Sequence, residues 1–231
     1  MKKITTYFTL AEWILWLSSL VLITFSFLLF DGESYLSFVA SLLGSTALIF
    51  CAKGNPIGQF LIIIFSCLYA YISYSFAYYG EMITYLGMSG PMAVYAFVAW
   101  IKNPYNVNHS EVKVNKLTRR EVIFMFILSV LVTVVFWFIL KHFGTANLIP
   151  STFSILTSFI AIYLTARRSP FYAVAYAVND IVLIILWLLA SLSDKAYVSV
   201  LVCFIVFLAN DIYGYFNWHK MEKSQSRKAN L

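Results

Sequence analysis

The run Pro170-Phe171-Tyr172-Ala173-Val174-Ala175-Tyr176-Ala177-Val178-Asn179-Asp180, which continues without a further charge through Trp187 to Ala190, decides how the rest of the chain is read. As a helix it is long enough to cross a hydrocarbon core of ~30 Å. Near its middle it carries an amide and a carboxylate side by side. An ionisable group at that depth is costly unless it faces a bundle interior or a water-filled cavity. The stretch therefore predicts a membrane-spanning helix that walls an internal chamber.

Working outward, seven more apolar runs have the length of a span. The approximate limits of all eight are 9–30, 34–52, 56–79, 82–101, 121–142, 148–166, 170–192 and 196–218, with 219–231 left as a tail. The expected fold is an all-α integral membrane protein, a single transmembrane domain of eight helices. Composition agrees: 61% hydrophobic and 11% charged residues lie far from the balance of a water-soluble domain.

The gaps between runs alternate in charge. Fourteen of the sixteen basic residues fall in one set: Lys2 and Lys3, Lys53, the 102–120 stretch, Arg167 and Arg168, and the tail from Lys220 to Lys228. The other set holds Lys141 and Lys195 beside Asp31, Glu33, Glu81 and Asp194. The positive-inside rule then expects both termini and the 102–120 loop to be cytoplasmic, in a multi-pass protein of the cell's inner (plasma) membrane. The net charge of +6 reports topology and contact with anionic lipid, not nucleic acid. Met1-Lys2-Lys3 before an apolar run has the start of a signal peptide, but the run to Phe30 has full span length and no small-residue cleavage pattern, so it is read as the first helix. Glu12 is expected at the interface, in the first helical turn near Trp13 and Trp16.

Cys51, Cys67 and Cys203 are scattered through apolar runs and read as packing residues. His109, His142 and His219 lie at run ends and far apart, so neither a metal site nor a cofactor is expected.

Residues 34–101 and 148–218 read as two copies of one three-helix unit. Each copy has a basic turn before a proline, Lys53-Gly54-Asn55-Pro56 and Arg167-Arg168-Ser169-Pro170, and ends in Trp-x-Lys, Trp100-Ile101-Lys102 and Trp218-His219-Lys220. Proline and tryptophan are 44 residues apart in the first copy and 48 in the second. Because three is odd, the run at 121–142 must be a linker that restores parallel orientation. The predicted plan is one extra N-terminal helix (9–30) followed by three, one linker and three, with substrate held between the halves near the midplane.

Candidate site residues follow from depth. At ~1.5 Å per residue, Asn179 lies about 13 Å in from Pro170 and Asn210 about 12 Å in from Trp218, so the pairs Asn179-Asp180 and Asn210-Asp211 are expected at one level. Tyr176, Asp180 and Trp187 share one helical stripe, whereas Asn179 lies about 100° away with Leu183 and Leu186. One member of that pair is therefore free to bond a neighbouring helix. Ser66 and Tyr69 are the mid-depth candidates of the first copy, and Tyr213 follows the second Asn-Asp pair. Gln59 is expected to be hydrated near a helix end, and Glu81 to serve the dipole of a helix N-terminus. Gly87-Met88-Ser89-Gly90-Pro91 breaks the fourth run as a hinge, a cavity lining or a kink. Amides, carboxylates and aromatic faces together suit a polar molecule bearing a ring. Each polar residue also has a structural reading, as an interhelical hydrogen bond.

Gly80-Glu81-Met82, Arg167-Arg168-Ser169-Pro170, Asn179-Asp180 and the run Asn210-Asp211-Ile212-Tyr213-Gly214-Tyr215-Phe216-Asn217-Trp218 together resemble the PnuC-type nicotinamide riboside transporter family, relatives of the SWEET and SemiSWEET proteins. The resemblance implies two three-helix bundles joined by one helix. It also implies uptake of nicotinamide riboside, an NAD precursor, by a uniporter with intracellular trapping, no cofactor and no catalysis. Family members often have tryptophans one and two turns before the position of Asp180, where this chain has Tyr176 and Ala173. Thiamine, riboflavin and deoxynucleosides stay open as substrates, and a homo-oligomer stays open as an assembly. The reading of another class is an intramembrane enzyme with Asp180 and Asp211 as acid and base.

Overall fold

The computed structural model of the protein describes residues 7–75, 79–105, 110–145 and 147–229; Lys2, Lys3 and His109 lie outside them. Eight helices among the described residues have the length and apolar content to cross a membrane. They are α1 (Leu10–Asp31), α2 (Tyr35–Ala52), α3 (Pro56–Ser75), α4 (Tyr79–Ile101), α5 (Arg119–His142), α6 (Leu148–Ala166), α7 (Tyr172–Ser191) and α8 (Tyr197–Ala229). The last runs eleven residues past the expected limit at Trp218, so the stretch read as a tail is helical to Ala229. No glycine or proline interrupts Tyr215 to Leu231, and its Glu, Lys, Gln and Arg residues are good helix formers. Apolarity marked where lipid stops, not where the helix does.

Six helices close a ring. Each packs on the next in the order α2, α3, α4, α6, α7, α8 and back to α2, while α1 lies outside against α2 and α8 and α5 lies outside against α6 and α4. The outer faces carry bulky apolar side chains, such as Ile127, Leu131, Val135 and Phe138 on α5, as lipid contact demands.

The sequence makes the same local structures twice. Thr9 and Thr118 open α1 and α5 with matching capping boxes, each hydroxyl accepting from the backbone of Glu12 or Glu121, whose carboxylate accepts in return. Those two glutamates pair with Lys53 and Arg167, the basic residues that follow α2 and α6. The next residues, Gly54 and Arg168, both adopt a left-handed conformation, φ +65° and +57°, which stops each helix. Asn55 and Ser169 then turn the chain by donating backbone N–H to the carbonyls of Phe50 and Leu164, each at 3.0 Å. The tryptophans exchange bonds: Trp100 Nε1 donates to the Thr165 carbonyl (2.8 Å) and Trp218 Nε1 to the Cys51 carbonyl (2.9 Å), with the two rings 5.4 Å apart.

The stretch between α4 and α5 is a strap across this basic end. Val112 N–H donates to the Gly54 carbonyl at 2.9 Å and Asn115 N–H to that of Arg168 at 3.0 Å, so one segment holds both turns. Gln225 of the α8 extension clamps it, donating to Glu111 and the Val112 carbonyl and accepting from Val114 N–H.

Close packing of α2 on α3 depends on Gly58, where an added Cβ would lie 2.6 Å from both the backbone nitrogen and the sulfur of Cys51. Backbone cannot step aside as a side chain can. Gly58→Ala is expected to cost about 1–3 kcal/mol of stability, read as a lower melting temperature of the purified protein.

Candidate substrate cavity

The ring encloses a cavity of about 180 Å³ to which all six of its helices contribute side chains. By the measure on which one water takes ~15 Å³, it holds roughly ten waters. It is therefore a chamber for a small solute and not a packing defect. It reaches toward the acidic end, where Glu81, Thr145 and Ser151 line it. At the basic end it stops on Tyr172, whose ring packs 4.9 Å from that of Trp218. Trp100, Trp218 and Tyr172 are at most 1% exposed and plug that end.

Seven of the nine expected site residues line this cavity: Asn179, Asp180, Asp211, Tyr176, Trp187, Ser66 and Tyr69. Asp180 on α7 and Asp211 on α8 are each 3% exposed and both line the cavity. Asn179 does both things its position allowed. Its oxygen accepts from Thr157 (2.8 Å) and Ser158 (2.9 Å) on α6, which leaves the NH₂ group as its remaining valence beside the cavity. Tyr69 packs on Phe65 and Tyr85, with centroids 4.6 and 5.2 Å away. Trp187 packs on Tyr197 at 5.5 Å. Of the two positions where tryptophans are frequent in the resembled family, Tyr176 lines the cavity, whereas Ala173 is fully buried in the basic-end plug.

Asn210 and Tyr213 are not in the cavity, which corrects the expectation for both. Asn210 is 1% exposed and donates to Ser19 on α1 (3.0 Å) and to the Val206 carbonyl (2.9 Å). Tyr213 donates to Glu12, 2.9 Å away. Residues three apart share a helix face, and this face of α8 meets α1, about 100° round from Asp211. Glu12 sits in the first turn of α1, as expected, and is 1% exposed and bonded to Lys53 at 2.9 Å.

Four lining residues had been assigned elsewhere or passed over. Gln59 is 4% exposed and donates to Cys51 Sγ at 3.2 Å, so it is not hydrated at a helix end. Glu81, Tyr85 and Ser89 line the cavity from α4 as a stripe at four-residue spacing. That spacing was visible in the sequence. The break at Gly87-Met88-Ser89-Gly90-Pro91 is a widened turn over Tyr85–Ser89, closed by Gly90 N–H donating to the Tyr85 carbonyl, and it keeps Tyr85 and Ser89 on the cavity side. The described lining contains three carboxyl groups, from Glu81, Asp180 and Asp211, and no lysine, arginine or histidine.

Residues 34–220 match the nicotinamide mononucleotide transporter family. The chain belongs to that family. As a member of it the protein is a multi-pass membrane transporter and not an enzyme, which sets aside acid-base chemistry for the two aspartates. The nicotinamide riboside transporter PnuC of Neisseria mucosa is 30% identical over 220 residues, covering 94% of this chain and 82% of the relative. The protein of the same name from Haemophilus influenzae is 23% identical over 193 residues, 83% of this chain and 82% of its own. The crystal structure of the vitamin B3 transporter PnuC superposes with a TM-score of 0.80 at 29% identity, covering 94% of each chain.

Proposed function

We propose that the protein carries nicotinamide riboside across the membrane by facilitated diffusion, down its own gradient and without ATP. The observation that carries this reading is the charge of the cavity: buried carboxyl groups, aromatic faces and no basic side chain among the described lining residues. Nicotinamide riboside brings a cationic aromatic ring and neutral ribose hydroxyls, which such a lining favours. The mononucleotide adds a phosphate. Repulsion between one phosphate charge and one carboxylate ~5 Å apart, at an effective dielectric of ~20, costs about 3 kcal/mol. That is more than a hundredfold in occupancy, so the riboside fits and the mononucleotide does not. The same repulsion accounts for trapping, because a riboside phosphorylated inside the cell is excluded from the route it came by.

The organisation that supports this reading is a pair of parallel bundles, α2–α4 and α6–α8, joined by α5, as in SWEET-type carriers. The exchanged tryptophan bonds and matched left-handed turns support a two-fold relation of the two bundles about the membrane normal. By the same relation α1 is the counterpart of α5, since both start with Thr-x-x-Glu and pair that glutamate with the base after the next helix. The basic end, with both termini, faces the cytoplasm of a cell whose plasma membrane holds the protein. The plug of Trp100, Trp218 and Tyr172 then closes the cytoplasmic side. Asn179, Asp180, Asp211, Tyr176, Trp187, Ser66 and Tyr69 are the proposed substrate-facing residues.

Purified protein in liposomes is expected to equilibrate radiolabelled nicotinamide riboside with no ATP and no imposed sodium or proton gradient, and to leave the mononucleotide outside. Uptake that needs an imposed gradient would defeat facilitated diffusion, and equal flux of the mononucleotide would defeat the charge argument. Thiamine also carries a cationic ring, so it belongs in the same panel; preference for it would reassign the substrate.

A further inference from the structure

A second, smaller cavity of about 100 Å³ lies at the acidic end of the ring, where α2, α4 and α8 begin and α3 and α7 end. At ~15 Å³ per water it holds roughly seven, which is room for an aromatic ring. Its walls repeat the chemistry of the main cavity: the carboxyl groups of Asp31 and Glu81, the rings of Tyr69, Trp187 and Tyr197, and no lysine, arginine or histidine among the described lining residues. Tyr69, Glu81 and Trp187 line the main cavity as well, so they form the wall between the two. Tyr69 comes from α3 and Trp187 from α7, one from each half of the ring. The two ends of the main cavity therefore differ. At the basic end Trp100, Trp218 and Tyr172 close it with a tightly packed plug; at the acidic end a wall of rings has a further chamber behind it.

We propose that this smaller cavity is an entry site for a monocationic aromatic ring, drawn in by the carboxyl groups and held on the aromatic faces before the wall of Tyr69 and Trp187 parts. A concave, low-dielectric surface lined by one sign of charge concentrates solutes of the opposite sign in front of it. Asp31 supplies such a charge while keeping its place in the fold. Its Oδ1 accepts from the Ser34 N–H at 3.1 Å at the start of α2, and a carboxylate has acceptor sites to spare. Because the wall residues belong to different halves, a movement of one half against the other opens it. The ring then passes from one carboxylate-lined chamber to the next, with no bond made or broken and no ion exchanged. Such a site speeds loading at low concentration and adds nothing once the carrier is saturated. The inference rests on the proposed cationic substrate and says where it is first bound.

The test is uptake by the full chain in phosphatidylcholine liposomes, whose surface has no net charge, at trace and at saturating radiolabelled nicotinamide riboside. Asp31→Asn keeps the oxygen that accepts from Ser34 and removes the charge. It is expected to lower trace uptake by about three- to tenfold and to leave saturating uptake unchanged. Trace uptake of the reduced, uncharged dihydropyridine riboside is expected to stay at the wild-type rate. Glu33→Gln removes the same charge from an exposed side chain at the same end that does not line the cavity, and is expected to change neither. Ser34→Asp adds a carboxylate to the cavity at a helix start that suits it, and is expected to raise trace uptake of the cation about twofold. In an uncoupled carrier kcat/KM is equal from either face, so molecules inserted either way round report the same change. Trace uptake of the cation unaltered in Asp31→Asn overturns the entry site and moves loading to the side of Thr145 and Ser151. Equal losses for the charged and uncharged ribosides, or a loss at saturation, make Asp31 a structural cap and overturn the entry site too. Wild-type protein that carries neither riboside overturns the substrate reading and the entry site with it. Ser34→Asp decides where Asp31→Asn fails to fold, an unchanged trace rate again counting against the site.

Discussion

Asp180→Leu is expected to lower nicotinamide riboside uptake by about ten- to a hundredfold, the range that corresponds to losing one hydrogen bond to a charged group of about 1.5–3 kcal/mol. The substitution removes a carboxyl group that lines the cavity, including a buried oxygen that has no protein partner. Leucine has as many side-chain heavy atoms as aspartate, branched at the same carbon, and suits a membrane helix, so the fold is expected to survive. Asn210→Leu is the control from the adjacent helix. It lies at a similar depth, but its amide bonds Ser19 and the Val206 carbonyl outside the cavity. Ser19 keeps its own bond to the Leu15 carbonyl, and the Asn210 oxygen is itself unpartnered, so little is left unsatisfied by the change. Its effect is expected in thermal stability, by about 1 kcal/mol, with flux per folded molecule little altered. Both are measured by initial uptake into liposomes containing equal amounts of folded protein. Undiminished flux in Asp180→Leu would take Asp180 out of the proposed substrate site.

The difference between those two residues shows what the sequence could and could not reveal. Helix positions were legible because lipid imposes length and apolarity: the expected 34–52 and 148–166 correspond to Tyr35–Ala52 and Leu148–Ala166. Asp180 and Asp211 were legible because a buried carboxyl is costly wherever it sits and so demands a reason. The direction of Asn210 was not, because one residue is a rotation of about 100° and nothing in the second Asn-Asp pair says which helix covers the other face of α8. The missing partner was α1. Its Glu12 was read with the bilayer surface in mind and its Ser19 was not considered, whereas the two form a polar seam against α2 and α8. Glu81 does open a helix, as expected, and lines the cavity as well; Gln59 was misjudged. Nearness to a helix end implies water only if no neighbouring helix closes over that end, and the closed ring does. The matched turns were legible from the prolines and tryptophans, but the likeness of the start of α1 to that of α5 needed the two ion pairs, whose partners are 41 and 46 residues apart.

That kinship sets up the second large effect, since it supplies two ion pairs of like chemistry at related positions and unequal burial. The Lys53 and Glu12 side chains are 16% and 2% exposed; those of Arg167 and Glu121 are 34% and 28%. Lys53→Met leaves the Glu12 carboxylate buried with Tyr213 and the Thr9 backbone as its remaining donors. An uncompensated buried charge of that kind typically costs about 3–5 kcal/mol, so a large fall in melting temperature is expected in detergent. Arg167→Met removes a pair that water can replace, and is expected to cost less than about 1 kcal/mol. Glu12→Gln added to Lys53→Met is expected to recover much of the loss, because the stranded charge is then gone while the amide still accepts from Tyr213. Equal losses from Lys53→Met and Arg167→Met would mean that burial is not what separates the two pairs. Failure of the double variant to recover would place the cost in the lost contact of the Lys53 ammonium with the Tyr7 and Phe8 rings, 4.8 and 5.6 Å away, and not in the stranded carboxylate.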